Sequence, residues 1–146
     1  MDIYKHSISK AKSEGFTLIE LMISLVIMAI LVSIAYPSFM QSIRKGNRSD
    51  AQSALTRTAG NLERFFATNG TYTVLLTDLG LDAGGASEQE HYVISVAAGA
   101  TGIGSSYVIT ATAAAGDMQA HDTNCTVLSL DSLGAQLPDP VNSNCW

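Results

Sequence analysis

Basic residues are missing from the second half of this chain. Residues 65–146 contain eight acidic residues and no Lys or Arg, whereas residues 1–64 hold all eight basic residues and five acids. Binding to nucleic-acid phosphates requires clustered Lys or Arg. The sequence therefore disfavours nucleic acid as a partner. The only basic residues after position 12 are Arg44, Lys45, Arg48, Arg57 and Arg64.

Residues suited to catalysis and metal binding are also scarce. His6, His91 and His121 are scattered, and no set of His, Cys or carboxylate residues has the spacing of metal ligands. We therefore expect no enzyme activity, no cofactor and no metal site. The two cysteines, Cys125 and Cys145, favour one disulfide formed in an oxidising compartment such as a periplasm.

A long hydrophobic run, GFTLIELMISLVIMAILVSIAY, occupies residues 15–36 and contains one charge, Glu20. As a helix rising about 1.5 Å per residue, residues 16–36 would span the roughly 30 Å hydrocarbon layer of a membrane. A carboxylate within such a helix costs about 2.5–3.5 kcal/mol on insertion scales. The run therefore predicts a membrane-spanning helix in which Glu20 either reaches the interface or pairs with a positive charge.

The start of this run resembles the N-terminal signature of type IV pilins. A short polar leader precedes GFTLIE, and the 15-residue leader, Phe16 and Pro37 resemble the type IVa subgroup. The resemblance implies that a prepilin peptidase cleaves after Gly15 and methylates the new amino group of Phe16. That amine would lie four positions before Glu20. It could pair with Glu20 within one helix or, as the resemblance implies, between adjacent subunits of a filament.

Three other interpretations of the same run remain open. Ser33, Ile34 and Ala35 could precede the cleavage site of an ordinary secretory signal, although Glu20 would interrupt its apolar core. A plain membrane anchor carrying a sensor domain would instead keep Met1. Pseudopilins of type II secretion systems share the pilin signature, so the N-terminal residues do not separate the two families.

The helical pattern continues beyond Pro37, which should kink the helix. Apolar positions three and four residues apart form one stripe: Ile43, Ala51, Ala54, Leu55, Thr58, Leu62, Phe65 and Phe66. The other face, with Arg44, Lys45, Arg48, Gln52, Arg57 and Glu63, is expected to face solvent. We predict one helix over residues 16–67, because Asn69-Gly70 is a strong stop signal.

Three segments beyond the helix alternate as strands, over 91–97, 106–113 and 125–131. Their spacing predicts an antiparallel meander, and the second half of the long helix would cover its apolar face in an α+β fold. We divide the chain into a cleaved leader (1–15), a helix (16–67, with 16–36 in the membrane) and an exported sheet domain (68–146). A disulfide between Cys125 and Cys145 would close a C-terminal loop of this domain.

The C-terminal half carries a second resemblance. Gly70-Thr71-Tyr72-Thr73 after the helix resembles type IV pilins in general. Asp122-Thr123-Asn124-Cys125, the strand with Leu128 and Leu130, Gly134 and the closing Cys145-Trp146 resemble the C-terminal pattern of PilE-like type IVa pilins. The resemblance implies a subunit of a type IV pilus (fimbrium), with the small sheet domain favouring a minor pilin. Its implied partners are other pilin subunits, the prepilin peptidase, an inner-membrane assembly platform and, before assembly, the inner membrane.

This resemblance also implies where the protein works. The chain would cross the bacterial inner membrane once, with its C-terminal domain in the periplasm, and would then enter an extracellular pilus used for twitching motility, cell adhesion or DNA uptake. Two alternatives are a pseudopilin of a type II secretion system and a DNA-receptor pilin for competence.

Overall fold

The computed structural model describes residues 15–137 and 144–146. Apart from Gly15, the expected leader therefore lies outside the described residues. The chain divides into two compact units, Met1–Ser38 and Phe39–Trp146. Helix α1 spans Leu18–Asn69 and the sheet belongs to the second unit.

Helix α1 is 52 residues long and contains Pro37. Gly70 follows its last residue with φ 70°, and the Gly70 N–H donates to the Phe66 carbonyl at 2.8 Å. Glycine adopts this left-handed conformation without the steric cost that a Cβ would add. The helix therefore ends at the stop signal that the sequence contains, two residues beyond the predicted limit of 67.

Four antiparallel strands form one sheet in the order β1-β2-β3-β4. Their bounds are Tyr92–Ala98, Tyr107–Ala113, Val127–Asp131 and Gln136–Leu137. The predicted meander and α+β class are confirmed, and β1 and β2 each begin one residue later than expected. Strand β4 was missed, because its two residues lie in a segment rich in turn residues and show no alternation.

The core lies between the C-terminal part of α1 and one face of the sheet. The helix buries Asp50, Ala51, Ala54, Leu55, Thr58 and Leu62, and the strands bury Tyr92, Ile94, Tyr107, Ile109, Ala111 and Leu128. Alternate strand residues point into this layer, as the period of a half-buried strand requires. From Ala51 to Leu62 the predicted stripe supplies the core, whereas Ile43, Phe65 and Phe66 are only half-buried. Asp50, which was not expected in the core, is buried as well.

Glu90, two residues before β1, has a left-handed backbone conformation with φ 61°. It ends a turn in which the Glu90 N–H donates to the Ser87 carbonyl. A side chain in this left-handed region costs about 1 kcal/mol or more, partly offset by the greater freedom of glycine in the unfolded chain. We expect Glu90→Gly to raise the free energy of unfolding by about 0.5 kcal/mol. Denaturant unfolding of the full chain in detergent micelles, followed by Trp146 fluorescence, measures this.

Glu90→Ala is the matched control for this prediction. It removes the same charge but keeps a Cβ at φ 61°, so its unfolding midpoint should stay below that of Glu90→Gly. Equal midpoints for the two variants would contradict a backbone origin of the effect.

Candidate assembly surface

The first part of α1 exposes its apolar side chains on all sides. Every residue from 15 to 39 is exposed, and this segment includes Leu, Ile, Val and Met side chains that are about half or more accessible. In the described chain, α1 is the one helix long and apolar enough to cross a membrane. Exposed apolar area of this extent is unfavourable in water, so the segment requires a lipid or protein partner.

Glu20 lies in the first turn of α1. The Glu20 N–H donates to the Thr17 hydroxyl oxygen at 3.3 Å, and the Leu21 N–H donates to the Thr17 carbonyl at 3.2 Å. Thr17 therefore caps the helix, and a carboxylate in the first turn is favoured by the helix dipole. The Thr-x-x-Glu spacing of a capping box could have been recognised from sequence.

Gly15 and Phe16 precede the helix, and the Phe16 side chain is 86% exposed. The chain described is the uncleaved one, so it contains no α-amino group at Phe16. Cleavage after Gly15, methylation of Phe16, the assembly role of Glu20 and the kink at Pro37 all stay predictions.

A cluster that we call the polar clasp joins α1 to the two ends of the C-terminal disulfide segment, at Asp122 and at Asn144 and Cys145. Arg48 binds Asp122 through two hydrogen bonds, Nε to Oδ2 at 2.7 Å and Nη2 to Oδ1 at 2.9 Å. Arg48 Nη1 also donates to the Asn144 carbonyl at 2.9 Å, and Gln52 Nε2 donates to the Cys145 carbonyl at 3.2 Å. These five residues hold both ends of the segment against one helix turn.

The expectation that Arg48 faces solvent is therefore wrong. Its side chain is 15% exposed and that of Asp122 is 9% exposed, because the disulfide between Cys125 and Cys145 folds the tail over this turn of α1. The basic pattern of the helix gave no sign of a partner 74 residues away. Arg57, by contrast, stays largely exposed in its ion pair with Glu88.

Asp50 is buried beside the clasp and connects α1 to the loop before β1. Its carboxylate accepts hydrogen bonds from the Ser87 hydroxyl at 2.5 Å and the Gln89 N–H at 3.3 Å. Ser87 Oγ in turn accepts from the Tyr92 N–H at 3.0 Å. A buried carboxylate is tolerated where hydrogen bonds replace its hydration, so this chain fixes the loop on the helix.

Tyr92 is fully buried next to this network, and burial raises the pKa of its hydroxyl to about 12. The folded-state pKa thus exceeds the ordinary value of 10.0, so stability is complete below pH 10 and falls as pH rises from about 10 to about 12. We expect Tyr92→Phe to flatten this loss. Denaturant unfolding between pH 9 and about pH 11.5 tests the prediction, with each variant referred to its own value at pH 7.

Burial and Glu63 also raise the pKa values of Tyr107 and Tyr72, so some loss should remain in the Tyr92→Phe variant. If the free energy of unfolding falls equally steeply with pH above pH 10 in the original chain and in Tyr92→Phe, the loss does not come from Tyr92.

The Thr-Tyr motif after α1 closes the other end of the helix against the sheet. Tyr72 stacks on Phe66 with ring centroids 4.6 Å apart and meets the edge of Tyr107 at 4.8 Å. The hydroxyls of Tyr72 and Tyr107 both donate to the Glu63 carboxylate, at 3.2 and 3.1 Å. The motif thus has a structural role at the end of α1.

A cleft of about 310 Å³ opens beside the polar clasp. Its walls come from about two turns of α1 and the segment before Cys125: Gln41, Arg44, Lys45, Arg48, His121, Asp122, Thr123 and Asn124. Asp122 neutralises Arg48, whereas Arg44 donates to a neutral group, the His121 carbonyl, at 3.1 Å. In the part of the chain that the structure describes, Lys45 has neither a hydrogen bond nor an ion pair, so the cleft carries surplus positive charge.

His91 and His121, the two histidines in the described part of the chain, have different hydrogen-bond partners. His91 Nδ1 lies 3.1 Å from Asp117 Oδ2, and the His121 carbonyl accepts the hydrogen bond from Arg44 in the cleft. Within residues 15–137 and 144–146, no three His, Cys, Asp or Glu side chains are arranged to hold a metal ion. His6 lies outside the described residues.

Comparison with protein families gives two matches that together cover most of the chain. Residues 37–129 match the family described as type IV minor pilin ComP, DNA uptake sequence receptor. Residues 10–36 match the prokaryotic N-terminal methylation motif.

Curated relatives include both pilins and pseudopilins. The chain is 33% identical over 88 residues to a type IV major pilin protein PilA of Myxococcus xanthus, covering 60% of this chain and 40% of that protein. It is 34% identical over 74 residues to a type II secretion system core protein G of Aeromonas hydrophila, covering 51% of this chain and 50% of that protein. The chain thus spans half or less of these relatives.

Among solved structures, a type IV pilin from Shewanella oneidensis is 27% identical and covers 70% of this chain and 97% of its own, with a TM-score of 0.46.

Proposed function

The chain belongs to the family of type IV minor pilins described as ComP, and from this premise we propose that it is a structural subunit built into a type IV pilus through α1. The observation that carries the proposal is the exposure of every residue from 15 to 39, in a chain whose sheet domain has a core of its own. This exposed segment could be covered first by a bilayer and then by the helices of other pilin subunits. The family is a structural one, and the proposed role requires no catalysis.

The processing steps form part of the proposal. The prepilin peptidase would cut after Gly15 and methylate Phe16, and the match of residues 10–36 to the methylation motif supports this. Glu20 would then lie one helical turn from the new amine, whether of its own chain or of a neighbour shifted along the axis. Burying the carboxylate in a filament core would require such a pair, which would fix the axial register between subunits.

We place the protein in the bacterial inner membrane before assembly, with the sheet domain in the periplasm. The disulfide between Cys125 and Cys145 supports an oxidising compartment. The assembly platform of the inner membrane and other pilin subunits would be its partners, and the filament would serve motility, adhesion or DNA uptake.

The experiment that tests this function is the intact mass and N-terminal sequence of the protein from native membranes, together with its detection in filaments sheared from the cells. We expect a first residue of Phe16 with one extra methyl, and the same species in the filaments. A start at Met1 or Tyr36 would overturn the proposal. A processed chain that never leaves the envelope would instead identify a pseudopilin, as in the secretion-system relatives.

A DNA receptor is the second candidate, because the matching family is described as a DNA uptake sequence receptor. Against it, residues 65–146 are acidic and lack Lys and Arg. Titrating the full chain in detergent micelles with labelled duplex at several salt concentrations tests the candidate. A receptor should bind with an affinity that falls steeply with salt, and binding that is absent even at low salt would rule it out.

A further inference from the structure

The cleft beside the polar clasp is rigid, because its two walls bind each other. Gln119, which is fully buried, donates from Nε2 to the Arg44 carbonyl at 3.1 Å and to Asp122 Oδ2 at 3.0 Å. Arg44 Nη1 returns a hydrogen bond to the His121 carbonyl, and Arg48 binds Asp122 through both carboxylate oxygens. These hydrogen bonds hold Arg44 and Arg48 in place, which lowers the entropic cost of binding a ligand through Arg44.

The chemistry of the cleft suits one anionic group. Lys45 is exposed and, in the described part of the chain, unpaired, and Arg44 uses one of its guanidinium nitrogens on a carbonyl. Gln41, Thr123 and Asn124 add polar side chains around them. A carboxylate or a phosphate could therefore bind there with charge-assisted hydrogen bonds.

The distribution of charge on the rest of the chain favours a carboxylate over a phosphate as the bound anion. A duplex needs several cations along its backbone, but Arg48 and Arg57 are already paired with Asp122 and Glu88. The eight acidic residues beyond position 64 would also repel a polyanion. A single carboxylate on a protein surface meets neither obstacle.

Acidic surface is what a subunit of this composition offers to its neighbours. Four exposed carboxylates lie within residues 78–90 of this sheet domain, Asp78, Asp82, Glu88 and Glu90, and three of them remain besides Glu88, which pairs with Arg57. Within the described residues every Lys and Arg lies on α1, whereas most acids lie on the sheet domain, so the two surfaces are complementary in charge between neighbouring subunits.

We propose that the cleft formed by Arg44, Lys45 and the segment 121–124 binds an Asp or Glu side chain on the sheet domain of an adjacent pilin subunit. This inference rests on the proposed function as a filament subunit and adds the chemistry of one contact. Lys45 supplies the positive charge and Arg44 supplies a second hydrogen-bond donor. Gln119 holds α1 and the segment 121–124 together through its bonds to Arg44 and Asp122.

The test uses the full chain in native cells and compares its amount in sheared filaments with its amount in membranes. Lys45→Glu should lower this ratio about fivefold or more, because it replaces an attraction by a repulsion at the contact. Lys45→Arg should keep the original ratio. Arg64→Glu, an equal charge change at an exposed position on the same helix, is the matched control and should also keep it.

A photo-crosslinking residue in place of Gln41, which lines the cleft, identifies the occupant directly. We expect a cross-linked peptide from the acidic sheet domain of a pilin subunit, lost when Lys45→Glu is added. A cross-link to DNA or lipid, or a Lys45→Glu chain incorporated as well as the original, would overturn the inference. Absence of the original chain from filaments would overturn the proposed function itself, and that result is separate because it needs no variant.

Discussion

Replacing both Cys125 and Cys145 by alanine is expected to lower the free energy of unfolding by about 3 kcal/mol. The disulfide joins residues 20 positions apart in the chain, and in the chain-entropy model a loop of this length stabilises by about that amount. Both cysteines are buried, so alanine keeps an apolar side chain at each position. Denaturant unfolding of the full chain in detergent micelles gives the value.

The entropic origin of this loss can be separated from lost packing. Chemical reduction of the unsubstituted chain keeps both sulfur atoms and should produce most of the same loss, since it opens the same loop in the unfolded state. If the reduced and oxidised chains unfold at the same denaturant concentration, the disulfide does not stabilise the fold.

Local patterns in the sequence predicted most of the fold. The stripe from Ala51 to Leu62 fixes which side of α1 is buried, and Gly70 fixes where α1 ends, because both depend on neighbouring residues only. Alternation predicted β1, β2 and β3 to within two residues. Strand β4 has two residues, and it exists because the turn after Asp131 returns the chain to β3. No periodicity of its own could have indicated it.

The polar contacts were not predictable in the same way. Asp50 lies within the apolar stripe, and its burial depends on Ser87 and the Gln89 N–H, which the fold brings from a distant loop. Arg48 and Asp122 were each visible as charges, but their pairing requires the tail to fold over α1. The hydrophobic segment and Glu20 were recognised from residue types, whereas the cleft around Lys45 depends on this tertiary pairing.

Arg48→Met should cost about 3 kcal/mol of folding stability. Removing one partner of a largely buried ion pair leaves the other charge desolvated, which costs about 3–5 kcal/mol in proteins. Here the remaining charge, Asp122, is 9% exposed and would keep the Gln119 side chain as a hydrogen-bond donor, so the lower end of that range applies. The Asn144 carbonyl would also lose its hydrogen bond from Arg48. Denaturant unfolding measures the difference.

Arg57→Met is the matched control, because it removes the same side chain from the same helix. The side chains of Arg57 and Glu88 are 42% and 69% exposed, and an exposed pair contributes at most about 1 kcal/mol. Adding Asp122→Asn to Arg48→Met should recover part of the loss, since it removes the unpaired charge. If Arg48→Met and Arg57→Met cost the same, the Arg48–Asp122 pair contributes no more than an exposed ion pair. A larger cost for Arg48→Met would show that the clasp also holds this segment on α1.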